Sequence, residues 1–80
     1  MDEQTILETL NGIFRKVLKR DNINLTPDTT AKDVDGWDSL TNMILISEVE
    51  KTFHIHFSFR EIVRLKNISD LCAGISKKAE

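Results

Sequence analysis

The sequence predicts an all-α fold, a small four-helix bundle, and three observations carry that prediction. Apolar residues recur at a helical period near the start of the chain and again after residue 39. Chain breakers are scarce, with 3 Gly and 1 Pro in 80 residues, too few for the many turns of a sheet sandwich. Helix-starting residues, Asp38-Ser39 and Ser58-x-x-Glu61, stand where two periodic stretches begin. A chain of this length makes one domain, 1–80, and buries only about 60% of its unfolded surface, so the core is thin.

The first element rests on Ile6, Leu7, Leu10, Ile13, Phe14, Val17 and Leu18, spaced to fill one helical face from about residue 3 to 20. Lys16, Lys19 and Arg20 lie at its C-terminal end, where they suit the helix dipole. Gly12 costs a mid-helix position about 1 kcal/mol against Ala, and close packing is the expected reason for it. Residues 21–38 hold Pro27 and Gly36 and show no sustained period. They form a long connection between helices I and II, of a length that usually has a function. Leu25, Val34 and Trp37 are expected to pin it to the core.

The second helix begins in "DGWDSLTNM", with Asp38 or Ser39 as N-cap, and runs to Phe53. Leu45, Ile46, Val49 and Phe53 make a normal core stripe. Leu40, Met43 and Ile44 widen the apolar surface beyond it, toward Ser39, which marks a central helix or a contact patch. "HIHFSF" alternates like a strand but has nothing to pair with, so it reads as an extended connection. Ser58-x-x-Glu61 opens a short third helix through about Leu65, with Phe59, Ile62 and Val63 apolar. Ser69 or Asp70 opens the last helix, whose buried face is Ile68, Leu71, Cys72 and Ile75.

Charge is uneven. Residues 21–38 carry five acids against Lys32 alone, whereas residues 54–80 carry five bases and three acids. Nucleic acid fits poorly beside the acidic segment, and a partner docking there presents positive charge. No apolar run approaches the roughly 20 residues of a membrane span, and the acidic N-terminus is unlike a signal peptide. The expectation is a cytoplasmic monomer.

Little in the chain suggests catalysis. Zinc sites need about four ligands, and His54, His56 and Cys72 do not supply them; the histidines read as helix-end or surface residues. Cys72 lies on an apolar helical face and acts there as a small hydrophobe. The glycines at 12, 36 and 74 form no phosphate loop. Ser39 has no histidine nearby in sequence to activate it as a nucleophile. The chain reads as a protein that is not an enzyme.

Helix, long acidic loop, "DSL", apolar helix ending in "EVEKTFHI", short helix and final helix together resemble the acyl carrier proteins over nearly the whole chain. The resemblance implies that Ser39 receives 4′-phosphopantetheine from coenzyme A through a separate phosphopantetheinyl transferase. It implies that Asp38 helps hold the magnesium of the transferase complex and that Leu40 touches the transferase and the arm. Acyl-loading and acyl-processing enzymes are then the further partners, through a face including Trp37, Met43, Ile44 and Glu50. The service is fatty-acid, polyketide or related specialised biosynthesis; peptidyl, aryl and D-alanyl carriers share the same serine. Two features depart from the fatty-acid pattern. Helix II reads Thr41, Ile44, Glu50 and Lys51 where several acids are usual, so only Glu50 keeps the charge, and Trp37 replaces a small residue. The rival reading is an unmodified helical interaction module that binds a partner through Leu40, Met43 and Ile44, with Ser39 a plain N-cap.

Overall fold

In the computed structural model, which describes residues 2–79, the four periodic stretches are helical. They are α1 (Glu3–Leu18), α2 (Ser39–Phe53), α3 (Phe59–Ile62) and α4 (Ile68–Lys78), with one 3-10 turn at Ala31–Asp33 inside the long connection. The Asp2 carboxylate accepts from the Thr5 N–H at 2.7 Å and opens α1. Its end comes two residues before the expected one because Lys19 turns left-handed, at φ 57° and ψ 45°. That conformation brings the Lys19 and Arg20 N–H groups onto the Arg15 carbonyl and closes the helix.

α1 packs against both α2 and α4. Its fully buried Ile6, Leu10 and Phe14 meet Leu45 and Val49 of α2 and Ile68 and Ile75 of α4 in one core. Cys72 joins this core, and burial pushes its thiol up to about 11, so it stays protonated and inert. The long connection is tied down by polar side chains of α1 as well as by its own apolar ones. Arg15 donates Nε to the Ile23 carbonyl at 2.8 Å, and Asn11 accepts from the Leu25 N–H at 2.7 Å. These bonds press Ile23 and Leu25 into the core. Val34 and Trp37 pack against it half-buried, and Ile23 is an anchor that the pattern did not signal.

The connection also caps α4. The Thr29 and Pro27 carbonyls accept from the Ile68 and Ser69 N–H groups at 2.9 and 2.8 Å, satisfying two donors that every helix start leaves free. Asn67 is the N-cap, accepting from the Asp70 N–H, while the Asp70 carboxylate reaches back to the Lys66 N–H. The helix therefore opens at Ile68, ahead of Ser69 and Asp70. α3 has the expected capping box, with Ser58 N–H on Glu61 and Glu61 N–H on Ser58. It ends at Ile62 instead of Leu65, because Arg64 and Leu65 tighten into bonds to Glu61 and Ile62, three residues back.

Two glycines differ in meaning. A Cβ on Gly74 would stand 3.0 Å from Phe57 Cε1, so any side chain there would push on the buried Phe57 ring. A Cβ on Gly12 would meet nothing within 4 Å. Close packing is not the reason for Gly12, and nothing in the structure explains it.

Candidate functional site

The turn into α2 is built by Asp38 and Thr41. Oδ1 of Asp38 accepts from the Leu40 and Thr41 N–H groups at 3.0 and 2.9 Å. The Thr41 hydroxyl accepts from the Asp38 N–H at 2.9 Å and donates to the Gly36 carbonyl at 2.6 Å. Gly36 itself sits at φ 89°, which a side chain would strain. Backbone hydrogen bonding from Thr41, the largest influence, holds the Asp38 carboxyl below its ordinary range, so it is ionised at neutral pH.

Because Asp38 is the cap, Ser39 is the first helical residue and not the N-cap. Among the described residues its hydroxyl makes no hydrogen bond, and the side chain is exposed. The serine is thus held by its backbone and left unused by the fold. The reading of Ser39 as a plain N-cap fails on this geometry.

The side chains around Ser39 divide into two groups. Leu40, Met43 and Ile44 are 73%, 48% and 49% exposed, a continuous apolar strip that the core does not use. Phe59 of α3 and Val63, which closes that helix, are also exposed. Trp37 instead turns inward. Its indole N–H donates to Asn42 Oδ1 at 3.0 Å, and its ring stands edge-on to Phe14. It braces the site more than it presents a surface.

Glu50, expected on the docking face, also has partners within the fold. Its Oε2 accepts from the Phe57 N–H at 2.8 Å and lies 3.1 Å from His56 Nδ1. Held at the end of α2, this carboxylate fixes the turn that follows. Lys51 is paired within the helix, 3.8 Å from Glu48. His54 closes α2 in a left-handed conformation, φ 57°, as a helix-end residue.

Beside Ser39 lies a shallow cleft of about 230 Å³. Trp37, Asp38, Ser39 and Asn42 line it from the α2 side, Ala31 from the long connection, and Leu65 and Lys66 from the α3–α4 connection. A larger hollow of about 370 Å³ lies between the end of α1 and the long connection, but none of the candidate residues lines it. Thr41 was legible in advance as the third residue after the cap Asp38, a capping-box spacing. Asn42 was legible too, three residues along the same helix from Ser39, whereas Leu65 and Lys66 gave no such signal, since only folding brings them there.

No charged or basic side chain is bonded to the Ser39 hydroxyl among the described residues. An exposed, unbonded hydroxyl at a rigid helix start can enter another protein's active site. A family model described as the phosphopantetheine attachment site matches residues 8–75. The acyl carrier protein of Onion yellows phytoplasma (strain OY-M) is 33% identical over 72 residues, 90% of this chain and 95% of that one. This chain belongs to the acyl carrier protein family.

The acyl carrier protein of Aster yellows witches'-broom phytoplasma (strain AYWB) matches with the same identity and coverage. The solution NMR structure of holo acyl carrier protein from Geobacter metallireducens superposes with a TM-score of 0.85 and 44% identity, over 90% of this chain and 83% of that one. As an acyl carrier protein the chain is a carrier and not an enzyme, and its cofactor is a covalently attached 4′-phosphopantetheine. It works by meeting partner enzymes. Among the described residues no helix is long and apolar enough to cross a membrane.

The site fits the group. Ser39 is accessible and unbonded, and the cleft at its side can take a flexible chain. The two N–H bonds that cap α2 both fall on Asp38 Oδ1, and Oδ2 makes none among the described residues. A magnesium ion brought by a transferase could therefore take Oδ2 without unmaking the cap. Among the described residues no cluster of three His, Cys, Asp or Glu side chains could hold a metal alone. The remaining ligands of such an ion would come from the transferase and coenzyme A.

Proposed function

We propose that Ser39 is the attachment residue and that residues 1–80 act as one monomeric carrier domain in the cytoplasm, for fatty-acid, polyketide or related specialised biosynthesis. The observation that carries the proposal is the Ser39 hydroxyl, presented at the first residue of α2 while Asp38 and Thr41 do all the capping. In the attachment, Ser39 Oγ bonds to the phosphorus that bears the pantetheine in coenzyme A. The phosphoanhydride bond breaks, adenosine 3′,5′-bisphosphate leaves, and the hydroxyl proton passes to a base of the transferase. When bound, the arm supplies a terminal thiol that carries an acyl group as a thioester. Asp38 takes part through its ionised carboxylate, and Leu40 through an exposed side chain next to the modified residue.

Acyl-loading and acyl-processing enzymes dock on the apolar strip of Leu40, Met43 and Ile44. Its exposure supports an apolar anchor, and the engagement of Glu50 with Phe57 and His56 leaves that face poor in free acids. A specialised pathway is favoured over bulk fatty-acid synthesis for that reason. The test is intact-mass analysis after incubation with coenzyme A and a promiscuous transferase. Wild type should gain one phosphopantetheine, and Ser39→Ala none while keeping its helical circular dichroism. Modification that persists in Ser39→Ala would sink the assignment, as would an unmodified wild type across several transferases. The latter result would favour the unmodified interaction module.

A further inference from the structure

We infer that Lys66 is the counter-ion of the phosphodiester on Ser39, and that it seats the first part of the arm in the cleft against Trp37 and Leu65. The inference rests on Ser39 as the attachment residue. It begins from an electrostatic problem at the α2 start. A helix N-terminus ordinarily holds a phosphate with its free N–H groups. Here the Leu40 and Thr41 N–H groups are already given to Asp38 Oδ1, and the Asn42 N–H to the Asp38 carbonyl. Asp38 lies directly before Ser39 and its carboxylate takes these bonds, so the phosphodiester on Ser39 finds an acidic side chain where free amides would stand.

Neutral donors of α2, the Ser39 N–H and the Asn42 amide, remain near the site but carry no charge, and the cleft provides a cation. Lys66 is the one cation among the residues lining it. Among the described residues its ammonium is in no ion pair. Its main chain is fixed independently, because the Lys66 N–H donates to Asp70 at 3.0 Å while Asn67 caps α4. The cation thus stands on a rigid corner with its side chain uncommitted.

The chemistry of the arm matches the order of the walls. The phosphodiester comes first, and a methylene and a quaternary carbon with two methyl groups follow it. Lys66 lines the cleft together with the apolar residues Leu65, Trp37 and Ala31. At about 230 Å³ the cleft is below the roughly 300–1,000 Å³ of a complete ligand pocket, so only the proximal arm is held. The thiol end stays free to reach partner enzymes. An exposed ion pair shifts such a seated population by up to about fivefold and weakens with salt, which makes the seating reversible.

The experiment uses fully modified holo-protein, prepared with coenzyme A and a transferase and verified by intact mass. Proton NMR should show Overhauser contacts from the arm's two methyl groups to Leu65 methyls and the Trp37 indole. These contacts should weaken about two- to fivefold in Lys66→Gln, vanish in Lys66→Glu, persist in Lys66→Arg and fall as salt rises. The phosphorus-31 resonance should shift between wild type and Lys66→Glu. The amide spectrum of each unmodified variant should match wild type away from residue 66, since only a side chain is changed. A fully modified wild type without these contacts would overturn the inference while leaving Ser39 as the attachment residue. So would a Lys66→Glu protein with undiminished contacts and the same phosphorus resonance. A wild type that never gains the modified mass would overturn both.

Discussion

Trp37 stands edge-on to Phe14, ring centroids 4.9 Å apart and planes at 89°, and so joins the residue before the capping aspartate to the centre of α1. Phe14 is fully buried, whereas Trp37 is half-buried, with its indole N–H on Asn42 at 3.0 Å. One ring therefore fixes the loop, α1 and the first turn of α2 together. Trp37→Ala should destabilise the fold by about 1.5–3 kcal/mol in urea titration and slow the modification of Ser39. A folded-state emission already matching free indole in water would contradict this packing.

Asp38 and its neighbour Ser39 have opposite roles, and their alanine variants should separate. Asp38→Ala removes the acceptor of two N–H groups and should lower the melting temperature by several degrees. Ser39→Ala removes an exposed hydroxyl without a partner and should leave the melt within about 0.5 kcal/mol of wild type. Equal destabilisation by the two variants would mean that the serine shares the capping after all.

The glycines should respond with opposite signs. Gly12→Ala fills open space on an exposed helical position and should stabilise by about 1 kcal/mol. Gly74→Ala drives a methyl group against Phe57 and should destabilise by about 1–3 kcal/mol. Chemical denaturation of the two variants is sufficient to decide.

Glu61 links α3 to α4 through Lys78, whose Nζ lies 2.8 Å from its Oε2. That hydrogen bond first, and the Ser58 N–H second, lower its carboxyl from 4.5 to about 2. A depressed folded-state pKa gives stability that is present above 4.5 and is lost as pH falls toward about 2. Asp2 and Asp38 act in the same direction, so the readout is a difference between proteins. The melting temperature of wild type should drop more steeply than that of Glu61→Gln across this window, and the gap between them should close at its acid end. Parallel curves would show that the ion pair contributes nothing.

Docking should depend on apolar contact more than on charge. Ile44 is 49% exposed, so Ile44→Glu should keep the fold and weaken the complex with the downstream enzyme, which should itself tolerate raised salt. A binding titration at low and high salt, beside a thermal melt of the variant, checks both. Steep salt dependence with undiminished binding of Ile44→Glu would return docking to charge.

The sequence by itself determined the four helices, because apolar spacing and capping residues are local properties. Ile6 to Leu18 mark one face, and Ser58-x-x-Glu61 needs only its own four residues to form a box. Asp38-Ser39-Leu40 stood out through its resemblance to a family pattern, itself a local run of three residues. Other features depend on neighbours distant in the chain, and only the tertiary structure decided them. Glu50 read only as a docking acid, and folding brought the Phe57 N–H and His56 to it. Ser69 and Asp70 looked like helix starts, but Asn67 became the cap and the Pro27 and Thr29 carbonyls came to satisfy the first N–H groups. Ser39 could have been a cap or a presented hydroxyl. Helical periodicity is blind to that choice, which depends on which oxygen the amides select, and they selected Asp38. Lys66 reached the wall beside Ser39 through the path of the α3–α4 connection, a relation that no spacing along the chain encodes.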